Sequence, residues 1–183
     1  MQNKSFIENS ELYLRSMIEG DLPEWTSWFN NPKTTSYMNK GFSPVTIEDQ
    51  EKRLEVLNND KKNIQLAIIL KDKDILIGIL GLHKIDWIHR HADISIVLGN
   101  NKYKGKGYGS QAISMIVEHA FNKLNMHKLT SGMWSNNHAS EKIFISNGFI
   151  KEGCKKEQFF YQDAYVDELN YGLLKDDWKK NEN

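Results

Sequence analysis

The chain has 183 residues, with 24 lysine and arginine residues against 24 aspartate and glutamate residues. This length suits one domain with an ample hydrophobic core, and we predict a single domain over residues 1–183. The balanced charge argues against a nucleic-acid partner and against a membrane surface bound through bulk charge. The single cysteine, Cys154, excludes an intrachain disulfide and a cysteine metal cluster.

The beginning of the chain is polar, and no apolar run follows it, so we expect no signal peptide. The longest apolar run, residues 75–82, is too short to cross a bilayer. Both observations predict a soluble protein located in the cytoplasm, without a membrane partner.

Two helices are predicted in the first third of the chain. Asp21 can cap the first helix, and Pro23 suits its first turn. Thr46 can cap the second helix, because acidic residues follow it and suit the positive end of the helix dipole. The predicted elements are a strand over residues 12–15, a helix from residue 21 that ends at residues 30–32, a loop over residues 33–45, and a helix over residues 46–57.

The middle of the chain predicts three strands. Residues 64–70 and 75–82 flank the polar residues 71–74, a pattern typical of a hairpin. A polar connection over residues 87–91 leads into a strand over residues 92–98, which is rich in β-branched and apolar side chains.

Three glycines at alternate positions, Gly105, Gly107 and Gly109, follow that strand after a polar turn. A helix with one apolar face begins directly after them. Glycine lets the backbone turn tightly and lets a ligand approach its N–H groups. The helix N-terminus adds unpaired donors and about half a positive charge, and Lys104 and Lys106 add full charges. This stretch therefore predicts a cradle for a phosphate or pyrophosphate.

Three known phosphate-binding patterns compete for this stretch. A Walker A loop needs a glycine, four further residues and then Gly-Lys-Ser/Thr. No such sequence follows Gly105. A dinucleotide fingerprint is weak, because Ser110 occupies the third glycine position and the next predicted strand, residues 129–134, ends without an acidic residue. The third pattern is the Arg/Gln-x-x-Gly-x-Gly/Ala signature of the GNAT N-acetyltransferases. Residues 104–109 resemble it, with lysine in the first position.

A second motif strengthens this resemblance. Residues 137–149 read Asn-His-Ala-Ser-Glu-Lys-Ile-Phe-Ile-Ser-Asn-Gly-Phe. They resemble the family's Asn-x-x-Ser-x-x-x-Tyr-x-x-x-Gly-Phe stretch, and they predict a short helix closed by Gly148. Two motifs in the right order are far more specific than either alone. Residues 11–15, 92–95 and 166–168 resemble most closely the RimJ/RimL branch, which includes ribosomal-protein and spermidine acetyltransferases.

The resemblance implies an α/β fold of the mixed-sheet type. In this fold a central, mostly antiparallel sheet has one parallel strand pair around the acetyl-CoA site and is flanked by helices. The order of strand, helix and strand over residues 92–134 also predicts that parallel pair, with a right-handed crossover. The chain should end in an antiparallel pair, from residue 149 onwards and over residues 165–174, with a loop between them. A frayed tail is predicted over residues 179–183.

The resemblance also implies acetyl-CoA as the acetyl donor. Its pyrophosphate would lie on residues 104–110, and its pantetheine arm would pair with the backbone of Ile96 and Leu98 like an added strand. Positions in the second motif would contact the cofactor as well. The predicted cofactor-binding residues are Ile96, Leu98, Lys104, Gly105, Lys106, Gly107, Tyr108, Gly109, Ser110, Asn137, Ser140 and Phe144.

Two side chains are candidates for the general base that takes a proton from the amine. Asp93 falls where many relatives carry glutamate. A carboxylate has an ordinary pKa of about 4, so it needs burial or a water relay to act near neutral pH. His83, on the preceding strand, titrates near a pH of about 6.5. No metal site is predicted, because the histidines in the middle of the chain match no ligand spacing. These are His83, His89, His91 and His119.

Phe144 stands where many relatives carry a tyrosine that can protonate the leaving thiolate. Phenylalanine can pack against the cofactor but cannot donate a proton. Tyr161, Tyr165 or water can serve instead, or the thiolate leaves unaided. An alternative of another class is a non-catalytic acetyl-CoA-binding module.

The expected acceptor rim is aromatic and slightly basic. The loop over residues 33–45 has no acidic residue, and the loop before the last strand, residues 155–165, is rich in aromatic side chains. Tyr37, Phe160 and Tyr161 are the substrate-binding candidates. A polyamine site should be acidic, so this rim favours a primary amine of a small molecule, such as a nucleotide-linked amino sugar. A polyamine and a ribosomal-protein N-terminus stay open as alternatives, and the resemblance allows a homodimer without predicting one.

Overall fold

The structure, a computed structural model, describes residues 5–181. The strands in these residues are β1 (Ile7–Glu8), β2 (Leu12–Ser16), β3 (Ile64–Leu70), β4 (Ile75–Asp86), β5 (His91–Leu98), β6 (Lys128–Trp134), β7 (Ile150–Tyr161) and β8 (Ala164–Leu174). The helices are α1 (Leu22–Phe29), α2 (Pro32–Thr35), α3 (Ile47–Asn59), α4 (Tyr108–Asn122), α5 (His138–Ser146) and α6 (Lys175–Asn181).

All of these strands form one sheet, in the order β1-β2-β3-β4-β5-β6-β8-β7. Among them only β5 and β6 pair in parallel, and the other neighbours are antiparallel. The predicted fold class, the hairpin between β3 and β4 and the parallel pair are therefore confirmed. The single domain over residues 1–183 stays a prediction.

Each face of the sheet is covered by its own apolar cluster, because successive side chains of a strand point to opposite faces. On β2, Leu14 packs into the cluster that includes Ile113 of α4. Tyr13, its neighbour in sequence, packs into the cluster that includes Trp25 of α1 and Leu54 of α3. Helices α4, α5 and α6 thus contribute to the core on one face, and α1 and α3 to the core on the other.

The parallel pairing of β5 with β6 is short, and this decides where a ligand can enter. Only His91–Asp93 pair with Lys128–Thr130. Beyond this point β5 stays paired with β4 as far as Leu98, while β6 stays paired with β8 as far as Trp134. The sheet therefore splits between its two central strands, and one edge of β5 is left without a strand partner.

Asp21 occupies the predicted N-cap position of α1, but its side chain does not make a capping hydrogen bond. Its carboxylate accepts hydrogen bonds from the Arg15 guanidinium at 2.6 and 2.8 Å and from the Ile18 N–H at 2.9 Å. Both charged side chains are buried, so the pair neutralises two charges inside the protein. A capping pattern in sequence cannot reveal this competition for the same carboxylate.

The C-terminal part has more regular structure than predicted. Residues 155–161, expected as part of a loop, continue β7, and α6 reaches Asn181 where a frayed tail was expected. Residues 182–183 of that predicted tail lie outside the described residues. Trp178 explains the helix, because it is buried and its ring lies 5.4 Å from the ring of Phe121 in α4.

Candidate active site

A cavity of about 560 Å³ opens where β5 and β6 separate. Its walls come from β4, β5, β6, α3, α5, the α2 segment and the β7–β8 hairpin. The predicted site residues that line it are Tyr37, His83, Ile96, Leu98, Lys104, Gly105, Asn137, Ser140 and Phe144. Those outside its lining are Asp93, Lys106, Gly107, Tyr108, Gly109, Ser110, Phe160 and Tyr161.

The unpaired edge of β5 presents backbone groups to this cavity. The N–H of Gly99 donates to the carbonyl of Ile77 at 3.2 Å, which fixes the phase of the antiparallel ladder with β4. Backbone groups alternate between the two edges of a strand. Those of Ser95 and Val97 therefore face β4, and those of Ile96 and Leu98 face the gap. These two residues can pair with an extended ligand, as expected from the sequence.

The glycine loop beside this edge is open to a ligand. Gly105 and Gly107 have φ values of +74° and +85°, and no atom lies within 4 Å of a Cβ built on either. Such a backbone favours glycine, and a side chain at either position would project into this open space. Gly107 is also the N-cap of α4, so unpaired N–H groups of the helix begin here. This loop fits the phosphate cradle predicted from the sequence.

Gly109 serves packing between helices. A Cβ at this position would lie 2.9 Å from Cδ1 of Ile143 in α5. The neighbouring Ser110 hydroxyl lies 3.0 Å from the Ser146 hydroxyl and accepts a hydrogen bond from the Asn147 amide at 3.0 Å. Both residues therefore hold α4 against α5, and a contact with a cofactor is not needed to explain them.

The second motif builds α5 and the adjoining wall of the cavity. The Asn137 side chain caps the helix by accepting a hydrogen bond from the Ser140 N–H at 3.2 Å. Gly148 follows the helix with a φ of +84°, as expected for a residue that closes it. Phe144 is buried at the cavity wall, with its ring 5.1 Å from that of Phe149 in an edge-to-face arrangement.

A chain of hydrogen bonds holds His83 in one tautomer. The Asn63 amide nitrogen donates to Asp60 at 2.6 Å, which turns its oxygen towards Nδ1 of His83 at 2.9 Å. Nδ1 therefore carries the proton, and Nε2 can accept from the Ser95 hydroxyl, 2.9 Å away. Gly81 leaves room for the ring, since a Cβ there would lie 2.9 Å from Cε1 of His83.

The surroundings keep His83 neutral. Burial lowers the pKa of His83 below its usual 6.5, Asp93 opposes this effect, and the charges of Arg53 and Lys84 add to the lowering. A neutral imidazole whose Nε2 has a lone pair can accept a proton at neutral pH. His83 therefore lines the cavity in a neutral state that suits a general base.

Asp93 is less suited to that role. It does not line the cavity. Its carboxylate makes a salt bridge with Lys84 at 2.8 Å and accepts a hydrogen bond from the Thr130 hydroxyl. Burial opposes its ionisation, but these hydrogen bonds and the charge of Lys84 outweigh burial, so the pKa of Asp93 lies below its usual 3.8. The geometry favours His83, and the role of Asp93 as a base stays a prediction.

Tyr37, Trp134 and Phe159 line one end of the cavity, and Tyr161 packs against them from outside the lining. Tyr37 stacks on Tyr161 with ring centroids 5.7 Å apart, and Trp134 stacks on Phe159 at 4.7 Å. Phe160 packs instead against Tyr165 and is 61% exposed. Because β7 is a strand here, Phe159 and Tyr161 share one face and Phe160 has the other. Alternation along the strand could have identified Phe159, had these residues been recognised as strand.

Comparisons with known proteins agree with this geometry. The family model described as acetyltransferase (GNAT) domain matches residues 11–150. The chain belongs to the GNAT family. This GNAT protein is therefore an N-acetyltransferase, with acetyl-CoA as the acetyl donor, and the open β5 edge and the glycine cradle fit that donor.

Individual relatives of this GNAT protein span most of its length. It is 30% identical over 162 residues to the spermidine N(1)-acetyltransferase of Vibrio cholerae. This alignment covers 87% of this chain and 90% of the relative. It is 28% identical over 131 residues to the ribosomal-protein-serine acetyltransferase of Escherichia coli, covering 70% of this chain and 72% of the relative. The crystal structure of the Vibrio cholerae spermidine N-acetyltransferase with CoA and spermine matches at 26% identity with a TM-score of 0.85, covering 93% and 99% of the two chains.

The cavity of this GNAT protein is richer in cations than the sequence suggested. Arg53 of α3 and Glu168 of β8 both line it, although neither was among the predicted site residues. Glu168 is the one carboxylate in the described lining, and Lys155 forms a salt bridge with it at 2.8 Å. The cations in the lining are Lys33, Lys40, Arg53 and Lys104.

Two structural features are absent from residues 5–181 of this GNAT protein. No group of three or more histidine, cysteine, aspartate or glutamate side chains in this range is arranged to hold a metal ion. No helix in the same range combines the length and the apolar character needed to cross a membrane.

Proposed function

We propose that this GNAT enzyme acetylates the primary amine of a small molecule, with His83 as the general base. The observation that carries the proposal is the neutral His83–Ser95 pair, which lies in the same cavity as the unpaired edge of β5. An acceptor in this cavity can approach a base on one side and an extended acetyl donor on the other. Proximity of this kind supplies a large share of enzymatic rate enhancement.

Three regions of the cavity and its surroundings would contact the donor. The backbone of Ile96 and Leu98 would pair with the pantetheine arm, and Gly105 and Gly107 would receive the pyrophosphate. Phe144 would form an apolar wall for the reacting end. When bound, acetyl-CoA supplies an acetyl group in an activated thioester. Other contacts with the donor are proposed for Lys104, Lys106, Tyr108, Gly109, Ser110, Asn137 and Ser140.

The proton of the amine can leave through Ser95. The nitrogen must lose a proton as it forms its bond to the acyl carbon, and the carbon–sulfur bond must break. Nε2 of His83 accepts from the Ser95 hydroxyl, so this hydroxyl can take the amine proton while it passes its own to the imidazole. Two side chains that are already hydrogen-bonded thus form a short relay.

Phe144 does not supply a proton to the sulfur. A thiol has an ordinary pKa of about 8.5, so the leaving thiolate is only modestly basic at neutral pH and water can protonate it. We therefore expect that the missing tyrosine does not limit the activity.

The acceptor that best matches the cavity is a nucleotide-linked amino sugar, because aromatic and cationic side chains suit bases and phosphates. A polyamine is the second candidate, and the likeness to spermidine acetyltransferases favours it. Glu168 is the carboxylate of the described lining that a polyamine could use. A ribosomal-protein N-terminus stays an alternative acceptor, a cytoplasmic location stays a prediction, and the oligomeric state stays open.

Release of free thiol from acetyl-CoA tests this proposal across three acceptors. These are a nucleotide-linked amino sugar, spermidine, and a peptide with a free N-terminal serine. We expect the highest kcat/KM with the amino sugar. Preference for spermidine, with loss of that activity in Glu168→Gln, would replace the amino sugar by a polyamine. Thiol release with the peptide alone would overturn the assignment of a small-molecule acceptor.

A further inference from the structure

Two cations of the cavity lie over one aromatic ring. Arg53 projects from α3, and its Cζ lies 5.4 Å from the ring centroid of Phe29 and 5.9 Å from that of Trp25. Lys40 follows α2, and its Nζ lies 5.8 Å from the same Phe29 centroid. Both side chains line the cavity that contains His83. Two elements distant in sequence therefore bring two positive charges to one wall.

In the part of the chain that the structure describes, no acidic residue pairs with either charge. Within residues 5–181, neither Arg53 nor Lys40 forms a salt bridge, and neither donates a side-chain hydrogen bond. Burial and the neighbouring charge of Arg53 lower the pKa of Lys40. Like charges held close together destabilise each other, so this wall is electrostatically incomplete without an anion.

The two cations line the same cavity as His83, the proposed base. The charge of Arg53 also contributes to the lowered pKa of His83. The phosphates of the donor are assigned to the glycine loop beside Lys104, where Gly105 and Gly107 leave open space. The pair formed by Arg53 and Lys40 is therefore not required for the donor.

We propose that Arg53 and Lys40 bind an anionic group, a phosphate or a carboxylate, carried by the acceptor amine. A guanidinium that lies over aromatic rings keeps its N–H edges available, and these edges match the two oxygens of such an anion. The ammonium of Lys40 adds a point charge to the same group. This inference rests on the proposed acetylation of a small amine and specifies the chemistry of that amine.

The same pair selects against polycations. An acceptor with one amine and one anion can place its anion on Arg53 and Lys40 and its amine at the neutral base. A polyamine would bring additional positive charges towards Arg53 and Lys40, and this repulsion disfavours it. Discrimination between acceptors therefore depends on repulsion as well as on attraction.

Kinetics with matched amino sugars test the inference. The acceptors are glucosamine, glucosamine 6-phosphate, and muramic acid, which carries a carboxylate. We expect wild type to prefer the two anionic sugars over glucosamine. The ratio of kcat/KM between glucosamine 6-phosphate and muramic acid shows whether the site prefers a phosphate or a carboxylate. Arg53→Gln should raise KM for the preferred anionic sugar at least about tenfold, as expected for the loss of a charged hydrogen bond. The loss for glucosamine should be smaller, because glucosamine lacks the anion that the guanidinium would bind, so the preference for the anionic sugar over glucosamine should fall in this variant.

Two further variants make the test specific. Lys40→Gln should act in the same direction as Arg53→Gln. Lys52→Gln is the matched control, because it removes one charge from an exposed position of the same helix that does not line the cavity. An equal loss for glucosamine and its phosphate in Arg53→Gln would overturn the anion site while leaving the acetyltransferase proposal intact. So would an equal effect of Lys52→Gln.

A binding experiment separates the site from the reaction. If wild type acetylates none of these sugars, calorimetry with the CoA-saturated protein measures the affinity for glucosamine 6-phosphate directly. Weaker binding in Arg53→Gln than in Lys52→Gln supports the anion site, although the proposed acceptor class then fails. Equal binding in all variants, or no binding to wild type, overturns the anion site.

Discussion

At the scale of single residues, the neighbours of His83 decide its chemistry. Asp60 orients Asn63, Asn63 fixes the proton on Nδ1, and Ser95 lies at Nε2. Burial further lowers the pKa of His83. A histidine held in this way is neutral at neutral pH and has its free lone pair directed at a hydroxyl of the cavity.

We predict that His83→Gln lowers kcat/KM at least about a hundredfold, the low end for loss of a general base. Asp93→Asn should have a smaller effect, because Asp93 lies outside the cavity lining. The measurement is initial-rate kinetics with the acceptor found by thiol release. Loss of activity in Asp93→Asn alone would exchange the two roles.

The protonation of His83 makes the expected activity depend on pH. The base works when it is neutral, so its activity is lost as pH falls through its pKa, which burial lowers below 6.5. An NMR titration of the ring protons should therefore have its midpoint below 6.5 in wild type. Because the charge of Arg53 contributes to this lowering, Arg53→Gln should move the midpoint upwards. A midpoint above 6.5 in wild type would contradict the neutral base.

At the scale of elements, α6 shows how a short polar segment becomes ordered. Its residues Lys175–Asn181 have one large apolar side chain, Trp178, and this side chain is buried. The ring of Trp178 lies against that of Phe121 in α4. The Lys175 ammonium adds a hydrogen bond to the Phe121 carbonyl at 2.6 Å. Packing against α4, rather than helix propensity, explains this element.

We predict that Trp178→Ala lowers the free energy of unfolding by about 3–5 kcal/mol, the range for truncating a large buried aromatic side chain. Chemical denaturation measures the effect. Trp87→Ala is the control, because Trp87 is 49% exposed and should cost much less. Equal losses in the two variants would show that α6 does not depend on this contact. Affinity for acetyl-CoA should not change, since α6 is absent from the described cavity lining.

At the scale of the whole molecule, the split sheet means that binding of the donor should stabilise the folded chain. The cavity takes its walls from both halves of the sheet, on either side of the separation between β5 and β6. A ligand that binds only the folded chain stabilises it by an amount set by its concentration relative to Kd. At 100 times Kd this amounts to about 2.7 kcal/mol.

We predict that acetyl-CoA raises the melting temperature of wild type and that Gly107→Glu abolishes the rise. The glutamate places a negative charge in the open space where a pyrophosphate would lie. Gly107→Ala is the control, because it introduces the same backbone strain at a φ of +85° without the charge. It should retain most of the rise. Equal stabilisation of Gly107→Glu and wild type would contradict the cradle.

The sequence by itself determined the features that depend on neighbours along the chain. The glycines before α4 need positive φ values and open space, and glycine is the residue that tolerates both. Asn137 caps α5 three residues ahead of its partner Ser140, and Gly148 ends the same helix. Two apolar runs on either side of the polar residues 71–74 marked the hairpin of β3 and β4. These signals act over a few residues, so they survive without knowledge of the fold.

Only the tertiary structure decided which side chains meet in the cavity. Arg53 comes from a largely exposed helix, and Phe159 from a segment expected as a loop, and neither position has a local signal for binding. His83 and Asp93 lie in register on adjacent strands. Asn63 fixes the tautomer of His83, whereas Lys84 holds Asp93 in a salt bridge. Electrostatics and packing depend on distances in space, and a linear pattern does not contain the distance between residues far apart in the chain.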